Sequence, residues 1–153
     1  MSWNFETDPE FQEQLDWIDD FVREEIEPLD FIITSPYDLT DPVRNEIIKP
    51  LQQQVQEREL WACHLGPDLG GPGYGQVKLA LMNEILGRAR CAPTVFGTQA
   101  PDTGNSEILA HFGTPEQKEE FLEPLLRNEI VSCYSMTEPQ GGADPKVFQT
   151  TAI

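Results

Sequence analysis

Apolar residues recur every three or four positions along most of this chain, which is the spacing of one face of an α-helix. The first such run extends from Thr7 to Pro28. Its apolar positions are Phe11, Leu15, Ile18, Val22 and Ile26. Asp8 followed by Pro9 is a favourable start, because a capping side chain precedes a residue that needs no N–H at the first helical position. The pattern predicts an amphipathic helix that ends near Pro28.

A second helix is predicted after Asp41 and Pro42, which repeat the same start. Its predicted apolar face consists of Val43, Ile47, Leu51 and Val55. Pro50 falls inside this pattern. Because proline has no N–H and its ring clashes with the preceding turn, we expect a kink or a break there.

The helical spacing resumes over 76–86, where Val77, Leu81 and Ile85 form the apolar stripe and Gly87 is a suitable C-cap. Segment 91–104 fits a short helix. We expect it to end in a turn, because Pro101, Asp102 and Gly104 interrupt the pattern.

Two more helices are predicted on either side of Gly113. The first covers 105–112, and the second begins at Thr114, which forms a capping box with Gln117. The predicted buried side of the second helix is Phe121, Leu122, Leu125 and Leu126. Pro124 conflicts with a continuous helix at this point.

The residue pattern changes after Asn128. Segments 130–136 and 147–153 are rich in β-branched and aromatic residues, which predicts two strands separated by a loop. The predicted fold is therefore mainly α, with a helical domain over residues 1–130 and strand-like segments within 131–153.

The composition supports a folded domain and narrows the classes of partner. Hydrophobic residues make up 39% of the chain and charged residues 24%, close to globular averages. Ten Lys and Arg residues against 27 Asp and Glu residues give a net charge of −17. This charge opposes binding to nucleic acid or to anionic lipid, and no apolar run is long enough to span a bilayer.

The cysteines and the first ten residues indicate the cellular compartment of the protein. Cys63, Cys91 and Cys133 are widely spaced and odd in number, which favours reduced intracellular thiols over a disulfide framework. Residues 1–10 are acidic and lack the basic and then apolar pattern of a secretory signal. We expect a cytoplasmic location.

Two features outside the helices suggest chemistry only weakly. The glycines of segment 70–75 resemble a phosphate loop, but Pro72 removes an N–H and no Lys-Ser/Thr pair follows, so a structural turn is favoured. Cys63 and His64 are adjacent, yet the histidines and cysteines are too scattered for a metal site. A Cys–His catalytic pair stays open, although core or surface roles are favoured.

Segment 134–145, with the sequence YSMTEPQGGADP, is the densest cluster of special residues. Pro139 and the adjacent Gly141 and Gly142 fit a plain turn. The same glycines, together with Thr137, also offer clustered N–H and hydroxyl groups that bind an anion or the polar edge of a ring system. Composition alone fits a turn and a ligand-binding loop equally well.

The stretch CYSMTEPQGGAD resembles the first signature of the acyl-CoA dehydrogenase family. The positions that fit its pattern are Met136, Thr137, Glu138, Gly141, Gly142 and Asp144. IEPLD, LGGPGYG, EILGR and FGTPEQKEEFLEPLLRNEI look like the N-terminal helical domain of that family, in order. CAPTVFGTQAPDTGN resembles its acyl-CoA dehydrogenase 10/11-like branch. The resemblance covers nearly the whole chain.

The resemblance implies a helical domain followed by the first strands of a truncated β-domain that starts at about residue 131. It implies FAD as cofactor, α,β-desaturation of an acyl-CoA thioester, and transfer of the electrons to an electron-transfer flavoprotein. A homo-oligomer is expected for the full-length form. The family's catalytic base lies in a C-terminal helical bundle, so we expect no catalytic residue in this chain and no activity from it alone.

Position by position, the resemblance assigns five residues to the cofactor. Tyr134, Met136 and Thr137 would line the flavin ring, the Thr137 hydroxyl would bond near N5, and Gly142 and Ala143 would approach the phosphates or the acyl-CoA. Glu138 and Asp144 would brace the loop.

Three positions depart from the family pattern, namely Ser135, Ala143 and Val147. Ala143 removes a hydroxyl that often contacts cofactor or substrate. A wall of the acyl-chain pocket is expected around Gln99 and the helix after it.

An alternative function belongs to another class. The chain would be a non-catalytic helical module that keeps the family fold and binds a partner chain through an exposed apolar face.

Overall fold

Helices account for nearly all the regular structure of the computed structural model, which describes residues 6–69 and 71–151. In chain order the helical elements are α1 (Pro9–Phe21), a π-helical turn (Val22–Ile26), a 3₁₀ segment (Glu27–Phe31), α2 (Pro42–Glu57), a 3₁₀ turn (Pro67–Leu69), α3 (Gly75–Leu86), α4 (Ala92–Val95), α5 (Asp102–Phe112), α6 (Pro115–Gln117), a second π-helical turn (Lys118–Leu122), α7 (Glu123–Leu126) and a last 3₁₀ turn (Pro145–Val147). The prediction of a mainly α fold is confirmed.

Helix α1 begins and packs as its sequence predicts. The Asp8 side chain accepts a hydrogen bond of 2.9 Å from the Phe11 N–H, which satisfies a free donor of the first turn. All five apolar positions of the predicted face are buried, and Ile18, Val22 and Ile26 have no exposed surface. Burying each such side chain stabilises the fold by roughly 1.5–3 kcal/mol.

Both π-helical turns end just before a Glu-Pro pair. The Glu27 N–H bonds to the Val22 carbonyl ahead of Pro28, and the Glu123 N–H bonds to the Lys118 carbonyl ahead of Pro124. A proline ring clashes with the carbonyl four residues earlier in a regular helix, and a wider turn relieves this clash. The conflict predicted at Pro124 is therefore resolved by a change of helical pitch.

Helix α2 differs from its prediction in two ways. It runs without a break through Pro50, so of the two expected outcomes the break is wrong. Its buried face is also rotated, since Val43 is 51% exposed whereas Arg44 is completely buried. The cause is tertiary: Arg44 finds hydrogen-bond acceptors inside the domain, and the apolar pattern alone does not detect them.

Helices α3 and α5 also depart from the sequence pattern. Val77 is 66% exposed, and the inner face of α3 is formed by Met82 and Leu86. Helix α5 starts at Asp102, three residues before its predicted start, so the expected turn at Asp102 and Gly104 is wrong. Asp102 and Ser106, on either side of Gly104, are buried, and their packing offsets the low helix propensity of glycine.

The capping box at the start of α6 is confirmed. The Thr114 side chain accepts from the Gln117 N–H, and the Gln117 side chain accepts from the Thr114 N–H. Beyond it, Leu122 and Leu125 are buried as predicted, but Phe121 is 44% exposed.

The two predicted strands are not formed within the described part of 130–151. Residues 131–137 have no regular structure; Val147 ends a 3₁₀ turn, and residues 148–151 have no regular structure either. A strand is stable only when its N–H and C=O groups pair with a neighbour, and no described segment provides one. The final residues of the second predicted strand, 152–153, lie outside the described residues.

A buried polar cluster ties distant parts of the chain together. Arg44 donates to the Pro36 carbonyl at 2.8 Å and to Asn128 Oδ1 at 3.0 Å. Gln52 Nε2 donates to the same Asn128 oxygen at 2.9 Å and to the Thr94 carbonyl at 3.1 Å. Desolvation by burial lowers the pKa of the Arg44 guanidinium. The cluster joins α2 to α4 and to Asn128, which lies two residues after α7.

Gly97 and Gly104 provide a matched test of backbone constraint. Gly97 has a φ of +65°, and a Cβ there would lie 2.7 Å from the Trp61 ring. We expect Gly97→Ala to lower the free energy of unfolding by roughly 1–3 kcal/mol. Gly104 lies inside α5, and a Cβ added to it would meet no atom within 4 Å. Gly104→Ala should therefore stabilise the protein, by roughly 0.5–1 kcal/mol.

Urea unfolding followed by tryptophan fluorescence measures both changes. Equal midpoints for Gly97→Ala and the wild type would contradict the contact with Trp61.

Candidate functional site

The loop 134–145 is closed by an antiparallel bridge between Glu138 and Gly141. The Glu138 N–H donates to the Gly141 carbonyl at 3.1 Å, and the Gly141 N–H returns a bond of 3.0 Å to the Glu138 carbonyl. Pro139 and Gln140 form the tip. The tight reversal predicted from the proline and the glycines is therefore present.

The Glu138 carboxylate fixes the loop to the chain that follows it. Its oxygens accept hydrogen bonds from the Gln149 N–H at 2.8 Å and the Thr150 N–H at 3.0 Å, and also from the Gln140 side chain. These bonds favour the ionised form, and they lower the pKa of Glu138 to about 2, with the Thr150 side chain as the largest contributor. A carboxylate with this pKa is a weak base.

Asp144 and the two glycines complete the loop. The Asp144 side chain accepts from the Lys146 N–H at 3.0 Å and caps the turn Pro145–Val147. A Cβ on Gly142 would lie 2.9 Å from Thr137 Oγ1, and one on Gly141 would lie 2.8 Å from a Val147 methyl. A side chain at either position would require the Thr137 or Val147 side chain to shift.

The structure brings some of the five predicted cofactor residues together. Thr137 and Gly142 are in direct contact across the loop, and Ala143 follows. Tyr134 and Met136 lie on the extended segment that enters it, with Tyr134 65% exposed and Met136 half-buried. Within the described residues, no hydrogen bond engages the N–H of Met136, the hydroxyl of Thr137, or the N–H groups of Gly142 and Ala143. These donors remain available to a ligand.

A second cluster connects the loop to the helical domain. Asp102 Oδ1 accepts from the Ser132 N–H at 2.8 Å and from its hydroxyl at 2.5 Å, and Asp102 Oδ2 accepts from Gln99 at 2.8 Å. The residue pattern predicts a turn at Asp102 and a strand at Ser132. No local pattern could have paired them, because they are 30 residues apart in the chain.

Gln99 lies deeper than expected for a residue of a substrate-pocket wall. It is only 3% exposed, and its amide nitrogen is taken by Asp102. An apolar groove of about 370 Å³ instead runs between the outer side of α5 and the segment after α7. Its lining residues include Ile108, Leu109, Phe121, Ile130 and Val131.

Cys63 and His64 are directed to different partners. Burial raises the pKa of the Cys63 thiol to about 12, and its Sγ donates to the Leu60 carbonyl at 3.0 Å. His64 Nε2 lies 3.2 Å from the Ser106 hydroxyl, and burial lowers its pKa. The two side chains thus form no nucleophile–base pair, and Cys63 behaves as a core residue.

Residues 6–69 and 71–151 hold neither a metal-binding cluster nor a membrane-spanning helix. No group of three or more His, Cys, Asp or Glu side chains is positioned to hold a metal ion there. None of the helices formed by these residues has the length and apolar character needed to cross a bilayer.

Sequence comparisons place the chain among known proteins. The family model of the acyl-CoA dehydrogenase N-terminal domain matches residues 8–129. Acyl-CoA dehydrogenase family member 11 of Homo sapiens is 38% identical over 138 residues, which cover 84% of this chain and 17% of the relative. Family member 10 of Mus musculus is 39% identical over 99 residues, which cover 61% of this chain and 9% of the relative.

A structural comparison agrees. A solved protein of Mycobacterium abscessus, described as an acyl-CoA dehydrogenase, superposes with a TM-score of 0.76 at 31% identity, over 92% of this chain and 37% of that protein. The chain therefore spans less than a fifth of the two curated relatives and well under half of the solved one. The family match ends before the loop 134–145.

The pKa of Glu138 predicts how the loop responds to acid. Because the folded-state pKa lies near 2, below the ordinary value of 4.5, the bonds from Gln149 and Thr150 persist above pH 4.5 and are lost as the pH falls through 2. In an NMR titration we expect these two amide shifts to change little between pH 7 and pH 4. A transition centred near the ordinary glutamate value would contradict the assigned bonds. Glu138→Gln should abolish the transition.

Proposed function

This chain belongs to the acyl-CoA dehydrogenase family, and we propose that its loop 134–145 forms one wall of a flavin site in an FAD-dependent enzyme that desaturates acyl-CoA thioesters. The observation that carries the proposal is that some polar groups of the loop stabilise its closed form while others have no partner among the described residues. The carboxylates of Glu138 and Asp144 brace the loop, whereas four donors are unengaged in the described part of the chain, namely the N–H groups of Met136, Gly142 and Ala143 and the Thr137 hydroxyl. A preorganised loop with spare donors is what a polar ring system needs.

The available groups fit a flavin ring. The Thr137 hydroxyl and the Met136 N–H are donors that would bond to nitrogen and carbonyl acceptors at the edge of the ring, and Tyr134 offers an exposed aromatic face beside them. The N–H groups of Gly142 and Ala143 would face the phosphates. Because Ala143 lacks the hydroxyl of the family pattern, only backbone contacts are available there. When bound, FAD supplies the acceptor for the hydrogen removed from the acyl group.

In this proposal the chain positions the flavin and does not remove the substrate proton. The lowered pKa of Glu138 makes it unsuitable as the base that removes a substrate proton, and Asp144 is committed to its cap. We therefore assign neither carboxylate to catalysis and expect the base to be provided from outside this chain. The electrons would pass to an electron-transfer flavoprotein.

The remaining parts of the proposal concern organisation. We place the helical domain at residues 1–130 and assign 131–153 to the start of a β-domain, in which the extended segment 130–136 would find strand partners. We also propose a cytoplasmic homo-oligomer for the full-length protein. The reduced state of Cys63, Cys91 and Cys133 supports this compartment.

A different feature supports the alternative of a partner-binding helical module. Ile108 is 53% exposed and Phe121 is 44% exposed in the lining of the apolar groove, which is unusual for neighbouring large apolar side chains on a free surface. Covering this face would require another chain or a further part of the same protein.

Titration of the purified chain with FAD tests the proposed site. We expect saturable quenching of flavin fluorescence. Thr137→Ala should weaken the affinity roughly five- to tenfold, because one hydrogen bond of about 1 kcal/mol is lost. Thr34→Ala is the control, since Thr34 is an exposed threonine in a separate loop.

Equal affinities of Thr137→Ala and Thr34→Ala would contradict the role of the hydroxyl. A wild-type chain that binds no FAD but self-associates in sedimentation experiments would favour the partner-binding module.

A further inference from the structure

Asp102 is a carboxylate held inside the domain at the first residue of α5, where only 7% of its surface is exposed. One of its oxygens receives both donors of Ser132, the N–H at 2.8 Å and the hydroxyl at 2.5 Å. The other receives the Gln99 amide at 2.8 Å. Both carboxylate oxygens of Asp102 are therefore engaged by uncharged donors.

Asn105 lies one turn further along α5 and holds the same serine from its other side. Its Nδ2 donates to Ser132 Oγ at 2.8 Å and makes a longer bond of 3.4 Å to the Cys133 carbonyl. The Ser132 hydroxyl thus donates to Asp102 and accepts from Asn105, which fixes its direction. We name Asp102, Asn105 and Ser132 the α5 clamp.

The α5 clamp stands between the helical domain and the candidate loop. Ser132 lies two residues before Tyr134, and the side-chain bonds within 134–151 join residues of that segment to one another. The hydrogen bonds described between segment 130–137 and the helices come from Asp102 and Asn105. Ile130 and Val131 add only half-exposed apolar contacts in the groove.

We propose that Asp102 is a positioning residue that sets where the loop 134–145 stands relative to the helical domain, by holding both donors of Ser132. The link to a cofactor rests on the flavin proposal, but the clamp itself does not. Glu138 closes the loop upon itself, and Asp102 orients the closed loop. Asp102 holds Ser132 through one carboxylate oxygen and Gln99 through the other, so a single side chain fixes both residues.

Amide hydrogen exchange of the 153-residue chain tests the clamp without any cofactor. We expect Asp102→Ala to raise the exchange rate of the Ser132 amide by about tenfold or more, because this amide loses its carboxylate acceptor. The exchange rates over 131–137 should rise as well. Exchange in α1 and α3 should stay unchanged. Asp102→Asn should restore most of the protection, because its amide keeps one acceptor for Ser132 and the Gln99 carbonyl can turn to meet its NH₂ group.

Thr114→Ala is the matched control. It removes the cap of α6, a comparable loss of local stability, but Thr114 contacts no member of the clamp. It should leave the Ser132 amide protected. If Asp102→Ala does not fold, Asn105→Ala and Ser132→Ala weaken the clamp from its exposed side, and each should raise exchange over 131–137.

Wild-type exchange over 131–137 in a folded Asp102→Ala protein, or in both Asn105→Ala and Ser132→Ala, would overturn the proposal. So would equal loosening by Thr114→Ala. Flavin titration then separates the two claims. If the chain binds FAD, Asp102→Ala should lower the affinity and Asp102→Asn should restore it. If the exchange results hold and no FAD binds, the clamp stands and the flavin proposal fails.

Discussion

The Arg44 guanidinium is the contact on which the arrangement of the helices depends. It is fully buried, and it meets the Pro36 carbonyl and the side chains of Asn45 and Asn128. A buried cation stripped of water is strongly unfavourable unless its donors are satisfied, so the loop before α2 and Asn128 must both keep their positions. Asn128 has a φ of +51°, which asparagine tolerates better than most residues, and this conformation ends the last helix while aiming the amide inward. Helix α2 and the end of α7 are thereby tied through one side chain.

The same requirement explains how the chain keeps its geometry up to the candidate loop. The second π-helical turn absorbs Pro124 without ending the helix, so that α7 still brings Asn128 to Arg44. Directly after this fixed point the chain becomes extended, and Asp102 holds it again at Ser132. The loop 134–145 therefore projects from a base that is anchored twice by buried polar groups. Its own closure depends on Glu138 and on two glycines packed against their neighbours.

Local sequence signals predicted the features that depend on local physics. The N-caps at Asp8 and Asp41, the capping box at Thr114 and the apolar face of α1 are all present, because each needs only residues a few positions apart. The errors arise where distant residues decide the outcome. Arg44, and not the predicted Val43, lies on the buried face of α2, because Asn128, 84 residues away, accepts a hydrogen bond from it. The predicted strands did not form because pairing partners are a property of the whole fold. For the site, the loop's composition predicted its turn, whereas the attachment through Asp102 and Ser132 had no local signal.

A double-mutant cycle on Arg44 and Asn128 tests most directly whether this buried contact joins the halves of the domain. Arg44→Met removes the guanidinium with little change in length, and Asn128→Gly removes the amide while keeping the left-handed backbone available. Unfolding free energies of the wild type, both single variants and the double variant give the coupling between the two side chains. The account predicts a coupling of at least about 1 kcal/mol, with the double variant less destabilised than the sum of the single ones. Additive losses would contradict it, because the two residues would then stabilise the fold independently.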